Sequence, residues 1–216
     1  LLDGVEHFIG PEVYSNPIQH IRIKVPERLV PKENQNDMNS RTPWHQDAST
    51  VTSEAEDTQM LTVWMAITES TEENGCLVVV PGSHTEKELS LHCRIEGGRL
   101  TGIPNQFLGP NRLPVPMKPG DVLFMTKKTK HSSLTNESDG VRFSFDIRYN
   151  PTGQPSGRSW FPGFVARSRA HPESELRDFA TWDRLWEEAR LALEAIDYDT
   201  PGTTHWKTGE QDPRCA

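Results

Sequence analysis

Polar and apolar residues alternate in several short runs of this chain, and each such run reads as a strand. Residues 18–25 place Ile21 and Ile23 on one face and His20, Arg22 and Lys24 on the other, the period of two that marks extended backbone. Residues 59–68 repeat the pattern, with Thr62, Trp64 and Ala66 opposing Leu61, Val63, Met65 and Ile67. Past the turn at Asn74-Gly75, residues 76–80 are continuously apolar, as in a strand covered on both sides. Pro81-Gly82-Ser83-His84 ends that run, and Lys118-Pro119-Gly120-Asp121 turns into the strand-like Val122-Leu123-Phe124-Met125. The clearest alternation is in residues 141–149. There Arg142, Ser144, Asp146 and Arg148 share one face, and Phe143, Phe145, Ile147 and Tyr149 share the other. Such a polar face either meets solvent or lines the inside of a barrel that holds a charged ligand. One helix is expected over residues 172–196, where Leu176, Phe179, Trp182, Trp186, Ala189 and Leu193 follow three-and-four spacing. Residues 1–17 carry no N-cap signal, 26–43 read as loop, 85–119 as loop or short strands over the site, and 197–216 as a tail with Trp206 as its anchor. Many short strands followed by one helix make the chain mainly β, a barrel or sandwich with a helical appendage.

A length of 216 residues fits one domain. Apolar residues make up 34% and charged residues 25%, with no apolar run of membrane-spanning length and no secretory segment, so we expect a cytoplasmic protein without membrane contacts. A formal net charge of −8 repels phosphate backbones and argues against nucleic acid as a partner. Cys76, Cys93 and Cys215 are odd in number and irregularly spaced, which predicts reduced thiols with neither a disulfide framework nor a zinc motif. Cys76, inside an apolar run, is expected to be buried and inert.

Candidate chemistry centres on Trp44-His45-Gln46-Asp47. In a strand His45 and Asp47 point to the same face, where one metal ion takes both. His131, just after the 121–125 run, is the best third ligand. Two imidazoles and a carboxylate form a facial triad suited to Fe(II), with positions left open for an oxidisable co-substrate and O₂. Arg142 follows His131 by 11 residues, which predicts that the two stand on neighbouring antiparallel strands. Its planar guanidinium is the natural bidentate partner of a carboxylate. Ser144, on the same face, adds a hydroxyl, so Arg142-Phe143-Ser144 reads as a carboxylate clamp aimed at the metal.

These segments together resemble the phytanoyl-CoA dioxygenase family of iron- and 2-oxoglutarate-dependent oxygenases. The resemblance rests on Thr42-Pro43-Trp44-His45-Gln46-Asp47, Asn74-Gly75-Cys76-Leu77 running into Pro81-Gly82-Ser83-His84, Pro119-Gly120-Asp121 ahead of His131, and Arg142-Phe143-Ser144, in that order. It implies a double-stranded β-helix, a jelly-roll or cupin-like barrel, over residues 1–170, with a C-terminal helix and tail over 171–216 packed on the same domain. It also implies that His45, Asp47 and His131 bind Fe(II), and that Arg142 and Ser144 hold the distal carboxylate of 2-oxoglutarate. Trp64, Ser133 and His20 stand at further co-substrate positions. The implied reaction consumes O₂ and 2-oxoglutarate, releases succinate and CO₂, and hydroxylates a small organic substrate. Halogenating relatives carry a small residue where Asp47 stands, so halogenation is not expected. Family members carry a helical and strand segment ahead of the point where this chain starts, and the N-terminal part of the family domain is expected to be missing.

Other residues read more plainly. His84 sits in a turn and is taken as structural, while His7, His92, His171 and His205 have no recognisable partner. Trp182 and Trp186 form a packing face. The rival reading is a cupin-like binding barrel without turnover or with another metal, which has no need of the Arg142 clamp. A coenzyme A ester, an amino acid and a secondary metabolite all fit as substrate, and Arg148, Arg158, Arg167 and Arg169 hint at an anionic one.

Overall fold

A computed structural model describes residues 1–32, 41–95, 101–195 and 212–215 and turns the alternating runs into strands. In chain order these are β1 (Glu12–Ser15), β2 (His20–Lys24), β3 (Leu61–Ala66), β4 (Leu77–Val79), β5 (Cys93–Arg94), β6 (Thr101–Gly102), β7 (Leu113–Val115), β8 (Val122–Thr126), β9 (His131–Ser133), β10 (Arg142–Pro151) and β11 (Phe164–Ser168). Two α-helices, α1 (Leu2–Ile9) and α2 (Phe179–Glu194), accompany them. The chain is therefore mainly β. His205 and Trp206 lie outside the described residues. No helix among the described residues is long and apolar enough to cross a membrane.

The chain divides into two interleaved units. The first comprises Leu1–Gln19, Thr50–Thr62 and Ile147–His205, and the second His20–Ser49, Val63–Asp146 and Trp206–Ala216. In the second unit β4 lies antiparallel between β7 and β9, with Val79 opposite His131. β2 pairs antiparallel with residues 142–146 of β10, which sets Lys24 opposite Arg142 and His20 opposite Asp146. β3 flanks β10 and pairs in turn with β8.

The alternation of β2 and β10 resolves in an unusual direction. Ile21 is 67% exposed, whereas Lys24 and Arg142 are 3% and 2% exposed. Ser144 and Asp146 are buried as well. Charged groups leave water at a cost of several kcal/mol each unless partners replace it, so an inward polar face marks an interior built to be polar. Apolar packing holds the frame around it. Trp44, Val78, Val80, Ile103 and Leu108 form one cluster, and Trp64, Ala66, Leu77, Met117 and Met125 another. The Asn74-Gly75 turn is constrained by both sterics and backbone: Gly75 has φ 88°, and a Cβ there would lie 2.5 Å from the Leu134 carbonyl oxygen and 2.6 Å from Lys24 Cδ. Glycine is the one residue that tolerates both.

In the first unit β1 pairs antiparallel with residues 149–151 of β10 and with β11. α1 was not legible in the sequence because it is short and has no side-chain cap. Its Asp3 and Glu6 accept from Arg167, and Glu6 also pairs with Arg169, which occupies two of the arginines read as hints of an anionic substrate. α2 begins later than the spacing implied. Residues 172–174 form a 3-10 turn, the Leu176 amide donates to the Val165 carbonyl at 3.0 Å, and Asp178 caps the helix by accepting from the Thr181 amide at 2.8 Å. Trp182 and Trp186 pack on each other with ring centroids 5.6 Å apart, and against Phe164 and Phe161 respectively.

The cysteines correct the sequence reading. Cys93 and Cys215 form a disulfide across 122 residues, with Cα atoms 5.4 Å apart, and Cys76 alone is free and buried. Spacing cannot reveal such a pair, because it is made only where the folded chain returns on itself. Burial pushes the Cys76 thiol up from its ordinary pKa. Denatured protein should therefore titrate one thiol per chain without reductant and three after reduction, and native protein none. Three thiols before reduction would contradict the bond. Cys215→Ser should lower stability by about 2–4 kcal/mol, read from denaturant unfolding.

Candidate metal centre

The segment at residues 42–48 is stitched along β9 and the turn before it. His45 and His131 form a bridge pair that exchanges both backbone hydrogen bonds, His45 N to His131 O at 2.9 Å and His131 N to His45 O at 3.0 Å. The Ala48 amide adds a third, to the Lys127 carbonyl at 2.9 Å. Beyond the bridge the chain leaves extended backbone and enters a 3-10 turn at Asp47–Thr50. The strand expected through Asp47 is therefore a single bridge followed by a turn. The turn swings the Asp47 carboxylate in beside the two imidazoles.

One ligand atom from each of His45, Asp47 and His131 lies within 4.8 Å of the others. Asp47 Oδ1 is 3.7 Å from His45 Nε2 and 4.0 Å from His131 Nε2, and the ring centroids are 4.2 Å apart. Each ring has its other nitrogen at a backbone carbonyl, His45 Nδ1 at Pro43 O (2.9 Å) and His131 Nδ1 at Thr129 O (3.0 Å). A carbonyl only accepts, so both rings carry a proton on Nδ1 and direct Nε2 toward Asp47. Burial and the adjacent His131 pull the His45 pKa down to about 3, against the opposing effect of Asp47. Asp47 is fully buried and sets a carboxylate oxygen beside both imidazoles. The donor set fits a divalent cation.

A pocket opens on His45 and His131 and is walled by Arg22, Lys24, Trp64 and Arg142. His131 and Arg142 do not stand on neighbouring strands, as their spacing had implied. β9 pairs with β4 while β10 pairs with β2, so the two residues wall the pocket from different sheets. The connection between them carries the chain across, pinned where Asn136 Nδ2 donates to the carbonyls of Lys24 and Gly140 at 2.9 and 2.7 Å.

The electrostatics of this pocket are lopsided. Arg142 Nη1 donates to Ser144 Oγ at 2.7 Å, and its Cζ lies 5.3 Å from the Trp64 ring centroid. Its Nε is buried with no hydrogen-bond partner, and no carboxylate pairs with it among the described residues. Lys24 Nζ donates to Ser133 Oγ at 2.7 Å and to the Leu134 carbonyl. Burial, then the charge of Arg142, pull the Lys24 pKa down to about 7, and burial lowers Arg142 to about 10. Asp146, the acidic group of the wall, lies 3.4 Å from Arg22 Nη2 and 3.5 Å from His20 Nδ1. Lys24 and Arg142 are thus two buried basic groups across one strand pair, both on the pocket wall.

The residues singled out from sequence separate accordingly. His45, Asp47 and His131 converge, as do Arg142 and Ser144, while Trp64 lies beneath Arg142 and Ser133 is held by Lys24. His20 stands off the pocket wall beside Asp146. His84 is exposed in its turn. Lys24, Arg22 and Thr42 were missed as pocket residues. The signal was present in the shared face of Arg22 and Lys24, but only the pairing of β2 with β10 turns that face inward. His92, read as partnerless, is 1% exposed and accepts from the Gln46 amide at 3.2 Å.

Among known proteins, the chain is 34% identical over 116 residues to a probable phytanoyl-CoA dioxygenase of Caenorhabditis elegans, covering 52% of this chain and 37% of that one. It is 32% identical over 125 residues to a 1-deoxypentalenic acid 11-beta-hydroxylase of Streptomyces arenae, covering 54% and 43%. The chain thus spans about two fifths of the length of these relatives. Among solved structures, the apo form of the non-heme monooxygenase ThoJ superposes with a TM-score of 0.63 at 20% identity, covering 88% of this chain and 67% of that one. The epimerase SnoN, crystallised with Fe3+, alpha ketoglutarate and nogalamycin RO, gives 0.53 at 23% identity, covering 72% and 57%. At such identities these likenesses speak for the fold, the double-stranded β-helix of this class of oxygenase. The sequence profile of the family described as phytanoyl-CoA dioxygenase (PhyH) matches residues 1–144, two thirds of the sequence, and the chain belongs to that family.

Proposed function

We propose that this chain carries the catalytic centre of an Fe(II)- and 2-oxoglutarate-dependent dioxygenase that hydroxylates a small organic substrate. The observation that carries the proposal is Arg142, a buried guanidinium with an unpartnered Nε and no carboxylate among the described residues, placed in one pocket with the His45, Asp47 and His131 cluster. A guanidinium left so is a poor structural element and a good receptor for a ligand carboxylate. A binding barrel without 2-oxoglutarate has no use for it.

The assigned roles follow from the geometry. His45 and His131 would offer their Nε2 atoms, and Asp47 a carboxylate oxygen, to a divalent cation. When bound, Fe(II) supplies oxygen activation coupled to the oxidative decarboxylation of 2-oxoglutarate to succinate and CO₂. Arg142 receives the distal carboxylate, with its Nη1 oriented by Ser144 Oγ and its face backed by the Trp64 ring. Lys24 adds a second positive charge, steered by Ser133. Trp64 and Leu77 give the pocket apolar wall and keep water from the co-substrate. Asp47 favours hydroxylation over halogenation, since a carboxylate takes the coordination position that chloride would need.

Replacing His45, Asp47 or His131 with Ala should abolish iron-dependent succinate formation while far-UV circular dichroism stays that of the parent. Succinate release at the parent rate in Asp47→Ala would remove the assignment. Anaerobic Fe(II) with 2-oxoglutarate should give the weak visible charge-transfer band of a chelated keto acid. Arg142→Lys keeps the charge but loses the fork, so 2-oxoglutarate affinity should fall by about 1.5–3 kcal/mol, on the order of ten- to a hundredfold, with iron content unchanged. Arg142→Ala should do worse and recover in part with a 2-oxo acid lacking the second carboxylate. Unaltered 2-oxoglutarate dependence in Arg142→Ala would place the carboxylate elsewhere.

Lys24 makes this binding pH-dependent. With its pKa lowered to about 7, it must take up a proton above that pH in order to meet an anion as a cation. The Kd for 2-oxoglutarate should therefore rise as pH increases through 7, approaching about tenfold per unit for one linked proton. Titration between about pH 6 and about 8.5 checks this, with Lys24→Met expected to flatten the slope. A parent profile as flat as that of Lys24→Met would take the lysine out of the binding step.

A further inference from the structure

Gln46 is the residue between two of the proposed metal ligands, and it is fully buried. Its hydrogen bonds form a closed circuit. The Gln46 amide donates to His92 Nε2 at 3.2 Å, and His92 Nδ1 lies 2.8 Å from the Ser90 carbonyl oxygen. The Ser90 amide returns to Gln46 Oε1 at 2.9 Å, and Gln46 Nε2 donates to the Lys128 carbonyl at 2.7 Å. Each link fixes the next. Because the Ser90 carbonyl can only accept, His92 carries its proton on Nδ1 and its Nε2 is left as the acceptor for the Gln46 amide.

The support for His92 is itself anchored. Cys93 follows it directly, joined to Cys215 and paired with Gly102 across β5 and β6. From the end of β6 the Ile103 amide donates to the Trp44 carbonyl at 2.7 Å. The ligand segment is therefore gripped on one side by residues 127–131 and on the other by residues 90–103 as far as these are described. His92 is also held neutral, because burial pulls its pKa down to about 4, so the acceptor nitrogen stays available over the working range of pH.

We propose that His92 is a positioning residue for the metal centre: its Nε2 fixes the peptide between His45 and Asp47 so that both ligands are presented to a single ion. It is not among the residues that wall the pocket, and the role assigned to it runs through the Gln46 amide. An imidazole suits the place because a donor and an acceptor are needed at once on opposite sides of one buried ring, which Phe fills in volume but not in hydrogen bonding. This role rests on the metal reading of His45, Asp47 and His131.

The test compares anaerobic Fe(II) binding by the parent, Asp47→Ala, His92→Phe and His92→Gln, each with its circular dichroism recorded. His92→Phe should bind Fe(II) about ten- to a hundredfold more weakly, the usual effect of removing an outer support of a metal site. Its keto-acid charge-transfer band should shift or broaden. His92→Gln, which restores an acceptor and a donor, should recover most of the affinity. Folded His92→Phe that binds within twofold of the parent, while Asp47→Ala does not bind, overturns the role of His92 and leaves the metal reading standing. Failure of the parent to bind Fe(II) overturns the metal reading and this inference with it. Should His92→Phe not fold, ¹⁵N-histidine NMR of the parent decides: an Nδ1–H tautomer with unprotonated Nε2 supports the arrangement, and an Nε2–H tautomer at His92 overturns it.

Discussion

Two buried cations facing each other across β2 and β10 are the constraint on which the pocket depends. Lys24 and Arg142 are register partners, both almost fully buried, and Asp146, the acid nearby, is engaged by Arg22 and His20. Like charges at that separation repel, and a low-dielectric surrounding strengthens the repulsion. Burial lowers both pKa values, the charge of Arg142 adds to the shift at Lys24, and each finds a neutral oxygen, Ser133 for Lys24 and Ser144 for Arg142. What remains unmet is negative charge. The pocket wall thus presents positive charge and an Arg142 Nε without a hydrogen-bond partner, the feature on which the proposed carboxylate site rests.

The same demand explains the direction in which the strands face. With the polar face of β2 committed to the pocket, Ile21 and Ile23 turn outward although they are apolar. The apolar clusters around Trp44 and Trp64 then carry the packing that β2 does not supply. Function and stability are divided between strands: β3 and β4 contribute mainly core, while β2 and β10 contribute mainly charge.

The metal centre solves a different problem, that of holding three side chains from separated parts of the chain around one point. A bridge pair between His45 and His131 locks two of them by backbone bonds alone, and the 3-10 turn delivers the third. Carbonyl oxygens set the tautomer of each ligand imidazole, and Gln46 with His92 restrains the peptide in between. Nearly every restraint is a backbone group, which is rigid and does not titrate. The disulfide next to His92 extends that rigidity to residue 215.

Much of the site could be read from residue order alone. The convergence of His45, Asp47 and His131, the shared face of Arg142 and Ser144, most strands and the mainly β class were legible from period-two alternation and from the chemistry of these side chains. Short helices and boundaries were less legible: α1 lacks a cap, and α2 starts at the local Asp178 cap rather than where the apolar spacing begins. Tertiary structure decided that the polar face of β2 turns inward with that of β10, since alternation is symmetric and does not by itself say which face is buried. It also decided that Lys24 meets Arg142, that His92 supports Gln46, and that Cys93 finds Cys215. Each of these depends on segments distant in sequence being brought into register, and registry is set by the packing of the whole sheet rather than by any residue in it.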